Sequence, residues 1–337
     1  MADIDLKGFT KLGDSTLVND IKENVISFFD WGLLKKDNYI NVSIPSTGIY
    51  GGNEHQLRLV DDPRYTAGQV WEGFRSNWVW ESGLTSTDGA SLVSSDNANP
   101  GVSGVYVDST FYPVTTAGTY AHHVNHPQGR VVFDTAIPTT STVTCEYSYK
   151  YVNVTESNGL PWFKELHRRS ERVDSSQFDT TSGDWSQLSQ NRYQLPAIGI
   201  EVANTRSVKG YQLGGGSSYI YTDVLFHCIG EDSYMRDSLI DIVSLQNDKV
   251  FSMFDLNAIA DADAFPLDHR GVPASGALRF PDLTTNYKFK ALRFLDMKFD
   301  SIYTLNPNLF VGTVGVMWPP QLIHGKPAPL FKRERIK

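Results

Sequence analysis

The chain has 337 residues, of which 40% are apolar, 12% aromatic and 20% charged. That balance supports a real buried core and excludes a disordered chain. A net charge of −8 excludes a broad phosphate-binding surface, which needs clustered Lys and Arg.

The 16 tyrosines, with abundant Gly, Ser and Thr, favour a β-rich protein with large half-buried surfaces. Cys145 and Cys228 are too few for a disulfide framework or a zinc site. Both sit in apolar β-like runs and are expected as buried free thiols. "MADIDLKGFTKLG" has no charged-then-apolar signal pattern, and no apolar run of about 18 residues occurs. The expected site of synthesis is therefore the cytosol, where the sequons at Asn41 and Asn153 carry no meaning.

In chain order, residues 15–34 read as a helix. Leu17, Val18, Ile21, Val25, Phe28 and Phe29 recur at three- and four-residue steps, and Asp14 or Ser15 is placed to cap it. "DNYINVSIP" reads as a strand ended by Pro45. Residues 51–95 read as an irregular arm. Its cluster "VWEGFRSNWVWESG" offers Trp71, Trp78 and Trp80 either as an aromatic binding platform or, the favoured reading, as an anchor packing the arm on its neighbours.

Residues 96–156 change character to short alternating segments separated by Gly, Pro and Asn, which predicts an inserted all-β, sandwich-like domain. In "STVTCEYSYKYVNV", Val143, Cys145, Tyr147 and Tyr149 share one face, with Thr144, Glu146, Ser148 and Lys150 on the other. Residues 157–193 read as a connecting arm.

A second compact unit covers 194–320: a buried strand in "QLPAIGIEV", a glycine hairpin loop, and a long strand over 218–229. A helix follows over 233–247 with Met235, Leu239, Ile242 and Val243 on one face. Next comes one long alternating strand in "NYKFKALRFLDMKFDSIY", with Tyr287, Phe289, Ala291, Leu295, Met297 and Phe299 on its apolar side. A turn at Asn306–Pro307–Asn308 leads to a last strand. Residues 321–337 form an extended basic tail whose Leu330, Phe331 and Ile336 are apolar anchors.

The tempting chemistry fails on spacing. His227 and Cys228 are strand neighbours and point to opposite faces, so they form no thiolate–imidazole pair. Glu231 and Asp232 precede a helix and read as capping residues. "AHHVNH" places His122 and His123 on opposite sides and, with His126, lacks the remaining ligands of a metal site. "DADAFPLD" lacks the glycine and glutamate of a calcium loop, and "LGGGSS" lacks the lysine of a phosphate loop. No cofactor, no metal and no catalytic set is expected.

The order of a long N-terminal helix, a strand, "LPAIGIEV" with Pro196–Ala197, a hairpin, a capped helix and two closing strands resembles the tail-terminator and tail-completion proteins of tailed bacteriophages. The resemblance covers about residues 15–45 and 194–320. It implies an α+β fold: a tail-terminator-like mixed sheet with two main helices, built from 1–50 and 194–320 and carrying the β insert. The insert in turn resembles immunoglobulin-like and other β modules of virion proteins. The resemblance also implies a virion neck protein forming a hexameric ring. Such a ring caps the tail tube, contacts tube or sheath and head-connector proteins, and lets DNA pass without specific binding. Candidate interface residues are Trp71, Trp78, Trp80, Phe331, Lys332, Arg333 and Arg335. The alternative is a phage adhesin or carbohydrate-binding protein using the tryptophans.

Overall fold

The computed structural model describes residues 15–45, 52–81, 84, 101–157, 194–210, 218–274, 276–306, 309–318 and 322–324. It is a mixed α+β fold with four helices among these residues, α1 Leu17–Leu34, α2 Ser233–Ser244, α3 Leu256–Asp261 and α4 Phe280–Asn286. Two hydrophobic cores organise it, one under a six-stranded sheet and one inside a seven-stranded sheet.

The six-stranded sheet runs β10 (Asn153–Glu156), β11 (Ala197–Gly210), β12 (Ser218–Gly230), β16 (Leu309–Trp318), β15 (Leu295–Asn306), with β17 (Leu322–His324) pairing the start of β12. All its ladders are antiparallel except β10–β11. Ile198, Ile200 and Val202 on β11 lie opposite Cys228, Phe226 and Val224 on β12, and Phe226 lies opposite Val314 on β16. This common face is covered by Ile21, Val25 and Phe29 of α1 and by Leu239, Ile240 and Val243 of α2. The antiparallel pair β13 (Val250–Phe254) and β14 (Lys288–Arg293) closes the core with Phe251, Met253 and Leu292, joined by Phe294 just after β14.

α1 forms where its apolar stripe predicts, but Ser15, one of the two expected caps, is not at the cap position. Asp14 lies outside the described residues. The Ser15 amide donates to Asn257 Oδ1 (2.6 Å), and Thr16 occupies the cap position without a side-chain hydrogen bond. Inside α1, Asn24 is buried and clamps the Phe254 backbone, donating to its carbonyl and accepting from its amide, both at 2.9 Å.

The face of α2 is rotated from the expected one. Ile240 and Arg236 point inward with Leu239 and Val243, whereas Ile242 is exposed. Gly312 explains how closely α2 lies on the sheet: a Cβ there would collide with the Ile240 side chain. Asp232 caps α2 as expected, accepting from the Met235 amide at 2.7 Å.

The single long strand expected over 286–303 is two strands in two sheets. β14 ends at Arg293, Phe294 finishes the ladder with β13 through Lys249, and β15 enters the large sheet, with Asp296 at a φ of 50° at the transition. One alternation phase cannot span such a change of sheet. Leu292 and Phe294 are buried although they share the parity of Lys288 and Lys290.

The insert is one antiparallel path of seven strands rather than two stacked sheets: β5 (Thr110–Pro113), β4 (Gly104–Val107), β8 (Val143–Cys145), β2 (Gln56–Leu59), β3 (Val70–Glu72), β7 (Arg130–Phe133), β6 (His122–Asn125). Val105 near one end and Val124 at the other belong to one core, so the sheet curls around it. Residues 51–95 are therefore more than an irregular arm, because β2 and β3 are the middle of this sheet. β1 (Tyr39–Val42), expected in the first unit, also pairs into the insert through β9 (Tyr147–Lys150). Asp108 and Ser109, both at positive φ, make the two-residue turn between β4 and β5. That turn needs left-handed backbone at both positions. Residues 158–193 and 211–217 lie outside the described residues.

Asp20 gives a test of the α1 packing. It is buried, and burial pushes its carboxyl up to about 6, with Asp255 adding to the rise and Ser15 and Lys290 opposing it. The folded chain thus holds this proton more tightly than the unfolded one. The stability it contributes is full below about pH 4 and is lost as pH rises through about 6. Asp20→Asn is neutral throughout. In urea melts it should match the native chain near pH 4 and exceed it by about 1–3 kcal/mol at pH 7.5.

Candidate functional site

The stretch 143–156 passes through both cores, and the polar groups of the molecule concentrate where it crosses. Val143, Cys145, Tyr147 and Tyr149 enter the core of the insert on one face, as the alternation predicts. The opposite face was expected to be polar, yet Ser148 and Lys150 are buried too. Ser148 donates to Asn41 on β1 at 2.7 Å. Lys150 reaches Asp30 on α1 and Glu81 after the tryptophan cluster, each at 2.6 Å. The two carboxylates outweigh the cost of burying the ammonium and hold its pKa above the ordinary lysine value. Burial raises the Asp30 carboxyl, against the pull of Lys150.

Three further ties surround this triad. Asn38 brackets Val152, donating to its carbonyl (2.9 Å) and accepting from its amide (2.7 Å). Asn153 accepts from Asn77 at 2.9 Å and donates to the Gln194 carbonyl at 3.0 Å. The Arg75 guanidinium donates to the Leu195 carbonyl at 3.0 Å and lies over the rings of Phe74 and Tyr149. Each joins a residue near the insert to β10 or to the chain leading into β10 or β11.

Trp71 and Trp78 face inward. Trp78 is 1% exposed, stacks on Tyr147 with ring centres 4.3 Å apart, and donates its indole N–H to the Arg75 carbonyl at 2.7 Å. Trp71 donates to the Gly68 carbonyl at 3.0 Å. Trp80 is half-buried next to Glu81. The three therefore form no shared exposed platform; two are core residues that support the anchor reading. Phe331, Lys332, Arg333 and Arg335 lie outside the described residues.

His227 and Cys228 do lie on opposite faces. Cys228 is in the core beneath the helices, its thiol pushed up to about 12 by burial, and the Cys145 thiol is raised further by the same cause. Neither is a nucleophile at neutral pH. His227 lies on the far face of the sheet, its Nε2 3.1 Å from Glu201 and its Nδ1 3.5 Å from the Thr313 hydroxyl. Sequence reading missed Glu201 and Thr313, because only the cross-strand register of β11, β12 and β16 brings them to His227.

Among the "AHHVNH" histidines, His122 is buried against Phe133 and His123 faces outward near Asp134. Burial pushes His126 down to about 4, so it is neutral at pH 7 and donates from Nδ1 to the Gly271 carbonyl at 3.3 Å. His126 thereby fastens the insert to the 268–273 turn. Among the described residues, no cluster of His, Cys, Asp or Glu is placed to hold a metal ion. No helix among them is long and apolar enough to cross a membrane.

The triad makes a direct prediction. Lys150→Met leaves Asp30 and Glu81 facing one another without a cation, and should cost about 3–5 kcal/mol in urea unfolding. Adding Asp30→Asn and Glu81→Gln to it should recover most of the loss.

No protein-family model matches the chain, and no curated protein is similar to it.

Proposed function

We propose that this chain is a structural virion protein of a tailed phage, a tail-terminator or neck subunit that assembles into a ring. The ring would cap the tail tube and join it to the head connector, with DNA passing through its acidic lumen. The observation that carries this reading is the long edge of the six-stranded sheet. Both long helices pack on one face, and the 12-residue strand β15 forms its edge, with no strand beyond it among the described residues. An unpaired edge of that length offers main-chain donors and acceptors to another chain.

The element order within residues 15–45 and 194–318 supports the same reading: helix, strand, long antiparallel hairpin, capped helix and closing antiparallel strands. β1 departs from the expected plan, since it serves the insert. The adhesin reading loses its main support with Trp71 and Trp78 in the core.

Mass photometry and negative-stain microscopy of the purified chain, alone and with tail tubes, test the proposal. Rings, or caps on tube ends, are expected. A chain that stays monomeric up to high micromolar concentration and leaves tube ends bare overturns it.

A further inference from the structure

The outward face of α2 is unlike an ordinary solvated helix face. Successive residues turn by about 100° around the axis. The stripe opposite Arg236, Leu239, Ile240 and Val243 is therefore Tyr234, Ser238, Asp241 and the helix-end residue Leu245, with Ile242 at its margin. Tyr234 is 80% and Leu245 79% exposed, and Ile242 also faces solvent. Carboxylates surround the apolar groups: Glu231 and Asp232 at the start, Asp237 and Asp241 along the flank. The only basic residue of the helix, Arg236, is buried and already pairs with Asp237 at 2.8 Å.

The segment after β17 has the complementary chemistry. Residues 325–337 read "GKPAPLFKRERIK", with Lys326, Lys332, Arg333, Arg335 and Lys337 against a single Glu334, and with Leu330, Phe331 and Ile336 interspersed. Apolar groups bracketed by cations match apolar groups bracketed by carboxylates.

We propose that this segment docks on the outward face of α2 in a second copy of the chain, with Leu330 and Phe331 against Tyr234 and Leu245 and the basic residues against Asp241. The second copy, rather than the segment's own α2, follows from the register. β17 pairs antiparallel with the first residues of β12, with Ile220 opposite Leu322 and Ser218 opposite His324. The chain therefore leaves β17 heading away from Gly230, the end of β12 where α2 begins. At about 3.3 Å per residue, the start of α2 is roughly 40 Å from His324. Even if all of the 18 Å or so of α2 ran back along β12, Leu245 would stand roughly 25 Å away once the height of the helix above the sheet is included. Phe331 extends at most about 25 Å from His324, so the chain's own α2 is within reach only of a fully stretched segment that reverses direction at once on leaving β17. A neighbouring copy meets neither limit. The contact rests on the ring reading only in that the ring supplies the neighbour.

The test uses the full chain and a fluorescent peptide of residues 325–337. The peptide should bind the chain, weaken as salt is raised, and lose at least tenfold in affinity to a Leu245→Glu chain. Asp241→Lys and Arg333→Glu should each weaken self-association in sedimentation velocity about tenfold, and a chain carrying both should recover it. All these positions on α2 are exposed, so thermal melts should be unchanged. Chains carrying Leu245→Cys and Phe331→Cys separately should form a mixed disulfide when combined. Peptide binding insensitive to Leu245→Glu, or a double-cysteine chain that closes only on itself, overturns the proposal. Rings that form normally in every variant sink this contact and leave the ring standing. A monomer that still captures the peptide through α2 does the reverse.

Discussion

The Lys150 ammonium, held between Asp30 and Glu81, is the contact on which the arrangement of the two cores depends. A lysine can be this deeply buried only if its charge is matched, and here the matching groups come from elsewhere in the fold. Asp30 belongs to the helix of one core and Glu81 follows the tryptophans of the other. Lys150 itself ends the strand that links them. Breaking the alignment of α1 with the insert would strand a buried charge on one side or the other. The hydrogen bonds of Asn38, Asn153, Arg75 and His126 then fix the same boundary at separate points. The insert is therefore braced against the α+β unit and is not a module swinging on a linker.

This bracing also explains why the boundary between the units was misplaced. Chain order suggests an insertion beginning after β1, but hydrogen bonding assigns β1 to the insert and β10 to the large sheet. The polypeptide crosses between cores within 151–153, inside what reads as one continuous alternating run.

Alternation itself was legible wherever a strand keeps one environment on each side. Val143, Cys145, Tyr147 and Tyr149 fall in the core as read, and Cys228 lies on the face opposite His227 as read. It failed where the environment changes along the strand, as at Phe294, or where a polar face is buried against another element, as at Lys150. β2 and β3 were missed because strands of four and three residues carry too few alternations to stand out among Gly, Asp and Pro. On α2, Ile240 and Ile242 are both apolar, so periodicity alone could not choose between them. Gly312 makes the choice, because it leaves room for Ile240. The Glu201–His227–Thr313 group was beyond sequence reading for a different reason: its members are far apart in the chain and meet only through register.

The helices cover one face of the large sheet, and on the other lie Glu201, His227, Thr313 and Leu225, of which His227 and Thr313 are themselves buried. The sheet ends on β15, which is paired on one side and has no strand beyond it among the described residues, an edge that natural proteins usually cover or blunt. The same asymmetry appears on α2, whose buried face is well matched to the sheet while its outward face carries a tyrosine and a leucine. A stable interior and an incompletely covered exterior have different origins. The interior follows from matched charges and close packing at the junction, whereas the exterior features give no stability to the single chain. Their cost in exposed apolar surface is offset only if another surface covers them. The shared core makes such covering specific, since it fixes where the β15 edge and the α2 stripe stand relative to one another.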